Sequence, residues 1–254
     1  MTQVSPRGFH GFIATNFPIV RRFLFPSLGE FNKEGSKCYT TSDSLFKDQS
    51  YLPADTHTLL KINDEFSELK SELAIRYSHS RTQYETHNGT NLDEEASKFI
   101  YFWVRLSKPK NVLETGVANG ESTYYLLNAI TKNGNGVLYS TDISSKVGNL
   151  LSETERNNWT LIVLNRGNKK KQFTSVLNDI GNINLFLHDS DHSYGWQRFE
   201  YNCVLNHLDR KNSLLVSDDV DYSYAFLEFA TEINSKPSFI IGKGKVLGIL
   251  EFKS

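Results

Sequence analysis

Four short segments carry the residues that could do chemistry. Glu114 is followed by a turn with Gly116 and Gly120, which leads through Ser122 into STYYLLNAI. Asp142 closes GVLYSTD, Asp189, Asp191 and His192 close INLFLHDSDH, and Asp218 and Asp219 close SLLVSDD. A strand, a glycine turn and a helix N-terminus can hold an anionic or zwitterionic small molecule. The backbone approaches a ligand where no Cβ intervenes, and unpaired N–H groups with the helix dipole favour a carboxylate or phosphate. Asp142 lies 22 residues beyond Gly120, where an acid ending the second strand accepts hydrogen bonds from ribose hydroxyls. The turn departs from the dinucleotide pattern, since Ala118 and Glu121 occupy its second and third glycine positions. Carboxylates gathered at one edge each cost desolvation energy without a partner. A turn or capping role explains any one of them, Asp191 above all, but not the set.

The elements that must position these residues follow from periodicity. From Glu114 onward, apolar runs alternate with helical patterns, which predicts a mostly parallel sheet covered on both faces. Strands are expected from Val112, over 136–144, 160–168, 183–194 and 213–220, with helices at 171–180, 195–208 and 223–233. Ligands of such sheets bind beyond the carboxyl ends of the strands, where the acids fall. Near the C-terminus, PSFIIGKGKVLGILEF holds two apolar runs joined by Gly242-Lys243-Gly244-Lys245. That linker is too short for a crossover, so the runs should pair antiparallel. Upstream, Leu59, Ile62, Phe66, Leu69 and Leu73 mark one face of a helix over Asp55–Tyr77. A second helix is expected over Asp93–Leu106, stopped by Pro109. Between them, 78–91 reads as a loop with His79 and His87 at the surface. Residues 1–50 mix prolines and glycines with many aromatics, which suggests an irregular arm packed on the body.

Charge narrows the partners. Twenty-eight basic residues against 29 acidic ones give a net charge of −1, no footprint for nucleic acid and no polybasic membrane patch. Lys169–Lys171 reads as a solvated loop. Cys38 and Cys203 lack a C-x-x-C pair, so neither a disulfide framework nor a zinc knuckle is expected. No apolar run approaches a membrane span and the N-terminus lacks a secretory h-region, so a cytoplasmic protein is expected.

ETGVANGES resembles the E-x-G-x-x-x-G-x-S loop of class I S-adenosylmethionine-dependent methyltransferases, and is most similar to the divalent-cation-dependent O-methyltransferases of catechol, caffeoyl-CoA and macrolide-sugar type. HDSDHSY resembles their D-x-D-H-S-Y segment, SDDV their acidic pair after the next strand, and the terminal hairpin their antiparallel last strand. The resemblance covers roughly 93–254 and implies a catalytic domain there, with 1–92 an extension acting as lid or subunit contact. It implies a Rossmann-like, seven-stranded, mostly parallel sheet with an antiparallel C-terminal strand. It also implies S-adenosylmethionine as cofactor: Gly116 and Gly120 beside its methionine part, Ser122 at its carboxylate, Glu114 near its amino group, Asp142 on the ribose, and Gly167 and Asn168 beside the adenine. Asn168 stands where the family usually has Asp. Asp189, Asp218 and Asp219 match the family's ligands for Mg²⁺ or another divalent cation, and three hard oxygen donors suit such an ion. His192 falls where catechol-type members carry a basic residue, which makes it the candidate general base beside Asp189. The implied substrate is a hydroxylated small molecule, a sugar or natural-product intermediate, and a homodimer is compatible with the chain. Three other readings stay open: a metal-dependent hydrolase or hydroxylase using Asp189, Asp191, His192 and Asp218, a nicotinamide-dependent oxidoreductase, and a non-catalytic cofactor-binding module.

Overall fold

The computed structural model describes residues 26–32, 35–48, 54–79, 92–242 and 245–253. Of the expected aromatic arm, residues 1–25 lie outside them, as do residues 80–91 of the loop expected over 78–91, whose Ser78 and His79 instead continue a helix. In chain order the elements are α1 (Leu28–Phe31), β1 (Lys37–Tyr39), α2 (Ser42–Lys47), α3 (Thr56–His79), α4 (Glu94–Ser107), β2 (Asn111–Thr115), α5 (Glu121–Asn133), β3 (Val137–Asp142), β4 (Trp159–Val163), α6 (Lys169–Ile180), β5 (Leu185–His188), α7 (Tyr194–Leu205), β6 (Ser213–Ser217), α8 (Ala225–Glu232), β7 (Ser238–Ile241) and β8 (Val246–Phe252). Among the described residues no helix is long and apolar enough to cross a membrane.

The strands form one sheet in the order β1-β7-β8-β6-β5-β2-β3-β4. Neighbours are parallel except where β8 pairs antiparallel with both β6 and β7. The terminal hairpin is therefore as expected. The sheet has eight strands rather than the expected seven, because Lys37–Tyr39 adds a parallel edge to β7, with Lys37 opposite Ser238. Three residues are too few to show a period, and only tertiary pairing defines this strand. The third and fourth expected strands end early. Asn165 accepts a bond from Gly167 N and turns the chain after β4, and Asp191 does the same for Ser193 N after β5. Lys169–Lys171 is not a loop but the first turn of α6, with Lys169 Nζ 3.7 Å from the centre of the Trp196 ring.

Alternation along the strands feeds two cores. Leu185 and Leu187 face α3, α4 and α5 on one side of the sheet, while Phe186 faces α6, α7 and α8 on the other. The expected stripe on α3 is buried at Ile62, Phe66, Leu69 and Leu73. Asp93 caps α4 by accepting from Ala96 N at 2.8 Å, and Lys108 ends it in the left-handed region just before Pro109. Two partly buried ion pairs hold α3 to the sheet domain: Arg105 with Glu65, and Arg76 with Glu155.

Candidate active site

The sheet brings the acids together by register. His188, last of β5, lies opposite Ser217, last of β6, and Asp218 N donates to His188 O at 2.9 Å. Asp189 and Asp218 thus leave adjacent strands side by side. Asp189 N donates to Thr115 O, which ties the same point to β2. Asp219 takes a left-handed conformation (φ 50°), tolerated by Asp, and turns the chain into a short 3₁₀ segment. His192 follows the turn capped by Asp191, and its Nε2 lies 3.7 Å from Asp189 Oδ1 and 3.8 Å from Asp219 Oδ2. Ligand-capable atoms of Asp189, His192 and Asp218 all lie within 4.8 Å of one another.

Burial sets the electrostatics. It raises the pKa of Asp189 well above the usual carboxylate range, reinforced by the charge of Asp218. It raises Asp218 too, against the opposing pull of Lys245. His192 is pushed down to about 3, first by burial and then by the nearby His188 and Lys245, so its imidazole is neutral near pH 7.

Two neighbours of this centre were not foreseen. Lys245 enters it from the start of β8, with Nζ 2.6 Å from Asp218 Oδ2 and 3.7 Å from Asp219 Oδ2. Read alone, GKGK is a turn. Strand direction held the signal: the start of a strand antiparallel to β6 must lie at the carboxyl end of β6. The second is the buried pair His188–Glu200, with Nδ1 2.5 Å from Oε2. Glu200 also accepts from Thr115 Oγ1 and Ser190 Oγ, which stiffens the ends of β2 and β5. Its traces in the sequence were His188 at the strand end, which could face core or site, and an acid within the apolar face of α7 between Trp196 and Val204.

The glycine turn also packs closely on the protein itself. A Cβ on Gly116 (φ +82°) would lie 2.0 Å from Asp189 O, and one on Gly120 (φ +89°) 2.9 Å from Gly148 Cα. Both glycines let the protein approach itself. Gly116 presses the turn directly against the acidic centre. Glu114 has no exposed surface, and its carboxylate accepts from Ser122 Oγ at 2.5 Å, Thr123 Oγ1 at 2.8 Å and Ser140 Oγ at 2.7 Å. It fastens the first turn of α5 to β3 from beneath and takes Ser122 with it. Asp142 holds the rim of the turn, accepting from Val117 N and Ser144 N, both at 2.9 Å. Its carboxylate keeps lone pairs for further donors, and Ile143 beside it is 45% exposed, an apolar shoulder suited to a flat base. Glu114, Gly116, Gly120, Ser122 and Asp142 therefore form one group beside Asp189. Gly167 and Asn168 are exposed on the loop beyond β4, whose last residue Val163 lies opposite Asp142. From the other side, Tyr77 of α3 donates to Glu121 at 2.9 Å and Arg76 to Leu150 O, so α3 walls the turn.

The donor set also fits a divalent cation. Asp218 Oδ1 is buried without a hydrogen-bond partner, the cluster of close donor atoms is Asp189, His192 and Asp218, and the Lys245 ammonium lies against Asp218 and Asp219.

The comparisons with known proteins bear on fold and domain type. Residues 113–220 match a family model described as a methyltransferase domain. Among solved structures, the chain is similar to the methyltransferase PaMTH1 of Podospora anserina bound to S-adenosylhomocysteine (TM-score 0.55, 13% identity, covering 81% of this chain and 99% of that one). It is also similar to an O-methyltransferase of Bacillus cereus in complex with S-adenosylhomocysteine (0.53, 12%, 84% and 98%). A third is TomG of Streptomyces achromogenes, an O-methyltransferase of tomaymycin synthesis in complex with S-adenosylmethionine (0.53, 11%, 85% and 97%). At these identities the likeness is one of fold. Among curated proteins no sequence matches significantly. Residues 113–220 are thus similar to a methyltransferase domain, and the chain has the fold of these S-adenosylmethionine- and S-adenosylhomocysteine-bound structures.

Proposed function

We propose that the protein transfers the methyl group of S-adenosylmethionine to a hydroxyl of a small molecule, held at the Asp189–Asp218–Asp219 centre with Mg²⁺ or another divalent cation. The observation that carries this is the contact of Gly116 with Asp189, which sets the methyl-donor turn and an under-satisfied acidic centre wall to wall. When bound, the sulfonium supplies an activated methyl group, and the cation lowers the pKa of a hydroxyl it binds. The chain's own work is placement. Asp142 and the turn hold the nucleoside end, with Ile143 under the base. Asp189, Asp218 and Asp219 would hold the cation, which would supply a Lewis acid for the acceptor hydroxyl. The sulfur–methyl bond breaks as the oxygen–methyl bond forms, and the hydroxyl proton leaves by way of His192 Nε2, 3.7 Å from Asp189 Oδ1 and 3.8 Å from Asp219 Oδ2. An imidazole whose pKa is held down to about 3 passes the proton on to these carboxylates rather than keeping it. Glu114 and Ser122 act indirectly, by fixing α5 under the turn. A sugar or natural-product acceptor follows from the motif resemblance, and the role of TomG in tomaymycin synthesis is in keeping with it.

The test has two parts. Isothermal titration should show saturable binding of S-adenosylhomocysteine. Labelled methyl transfer to a panel of catechols, sugars and hydroxylated phenolics should stop with chelator and resume with Mg²⁺. Absence of S-adenosylhomocysteine binding would sink the reading, and turnover that ignores chelator would remove the cation from it.

A further inference from the structure

Lys245 is a cation already seated among the residues proposed to hold one. Its placement is enforced by the backbone. Gly242 N donates to Lys245 O at 3.0 Å, closing the turn between β7 and β8. Gly242 is pressed so tightly on the cap of α4 that a Cβ would lie 1.7 Å from Asp93 Oδ2. Gly242 and Lys245 are thus held between α4 and the start of β8, and the lysine side chain is left 6% exposed. The ammonium makes its short contact with Asp218 Oδ2, while Asp218 Oδ1 stays buried and unpartnered. A divalent ion taking inner-sphere contact with the same carboxylates would lie within a few ångströms of this ammonium. Two cations at that distance repel strongly in a partly desolvated site. Lysine has a compact charge on a flexible four-carbon stem, which can withdraw without moving the turn.

We propose that Lys245 is a tethered cation that occupies the acidic centre when no divalent ion is bound and must withdraw for one to enter, so that Lys245 sets the affinity for the ion. This rests on the cation half of the proposed function and deepens it. The ammonium keeps the carboxylates from repelling one another in the ion-free protein. It also makes the centre selective, since only an ion of higher charge, with ligands left to gain, displaces it.

The experiment uses the full chain with Mn²⁺ as probe, free ion being counted by electron paramagnetic resonance. Lys245→Met should tighten Mn²⁺ binding by about tenfold or more, as expected for removing a like charge at contact range. Lys245→Arg, which keeps the charge, should bind as weakly as wild type. In wild-type protein, reductive methylation read by mass spectrometry should label Lys245 faster once Mn²⁺ saturates. This second measurement decides the matter if Lys245→Met does not fold. Equal or weaker Mn²⁺ binding by Lys245→Met, or Lys245 labelling that Mn²⁺ leaves unchanged or slows, overturns the proposal. S-adenosylhomocysteine titration of the same preparations separates the two readings. If neither protein binds Mn²⁺ but both bind S-adenosylhomocysteine, the inference falls and methyl transfer stands. If binding of S-adenosylhomocysteine is lost while Lys245→Met tightens Mn²⁺, the reverse holds.

Discussion

Glu114 and the Asp189–Asp218 pair are acids at the carboxyl ends of neighbouring strands in one sheet, yet they are treated oppositely. Glu114 is wholly covered and receives three hydroxyl hydrogen bonds, which oppose the upward push of burial on its pKa. Asp218 is as deeply buried and Asp189 nearly so; burial raises the pKa of both, the charge of Asp218 adds to the rise at Asp189, and Asp218 Oδ1 is left without a donor. A buried polar group that is fully bonded serves the fold, whereas one left short keeps capacity for a ligand. The difference separates structure from function at an edge where the residue types look alike.

The comparison breaks if the two acids respond alike to mutation. Asp189→Asn should lower methyl transfer by about 1,000-fold or more, the several kcal/mol that an oriented, cation-bound acceptor contributes. It should leave the thermal midpoint unchanged or raised, because it removes one of several like charges. Glu114→Ala should do the opposite in kind. It strands three buried hydroxyls and should cost roughly 3–5 kcal/mol in urea unfolding. Glu114→Gln, which keeps an acceptor, should cost less. A destabilised Asp189→Asn or a neutral Glu114→Ala would reverse the assignment.

Asp142 sharpens the boundary between the two halves. Asp142→Ala should weaken S-adenosylhomocysteine by about 30-fold, near 2 kcal/mol, for loss of a charged acceptor. Mn²⁺ affinity should not change, since Asp142 belongs to the rim of the turn and not to the acidic centre. A parallel loss of Mn²⁺ binding would mean that the halves are one site.

How much of this was readable depends on how locally each feature is encoded. Parallel strands announce themselves as apolar runs, and strand-end acids follow from their position in the chain, so Asp142, Asp189, Asp218 and the terminal hairpin were legible. Residues whose role depends on what lies across the sheet were not. Lys245 becomes a site residue only through the direction of β8, and Lys37–Tyr39 becomes a strand only through β7. Glu114 was placed at the right edge, but whether a carboxylate turns toward a ligand or toward Ser122, Thr123 and Ser140 is decided by rotamers that no spacing encodes. The glycines were legible as turns, while the self-contacts at Asp189 and Gly148 were not.

The smallest predicted effect concerns a third kind of acid, partly exposed and paired with arginine. Burial alone would raise the pKa of Glu155, but its bonds to Arg76 and Ser152 outweigh that and hold it below the ordinary value. Glu65 is held down in the same way by Arg105 and Tyr101. In the unfolded chain both should titrate near about 4.3. Because the folded value is the lower one, the pairs contribute stability above that pH, and the contribution is lost as pH falls through the folded value. Arg76→Ala should therefore cost about 1 kcal/mol in urea unfolding at pH 7. The gap to wild type should narrow as pH falls below about 4. It should not close, because Arg76 also donates to Leu150 O, which does not titrate. A gap of equal size at both pH values would place the whole effect on contacts that do not titrate, the Leu150 carbonyl and the Tyr124 ring under the guanidinium, and would leave Glu155 with no part in holding α3 against the turn.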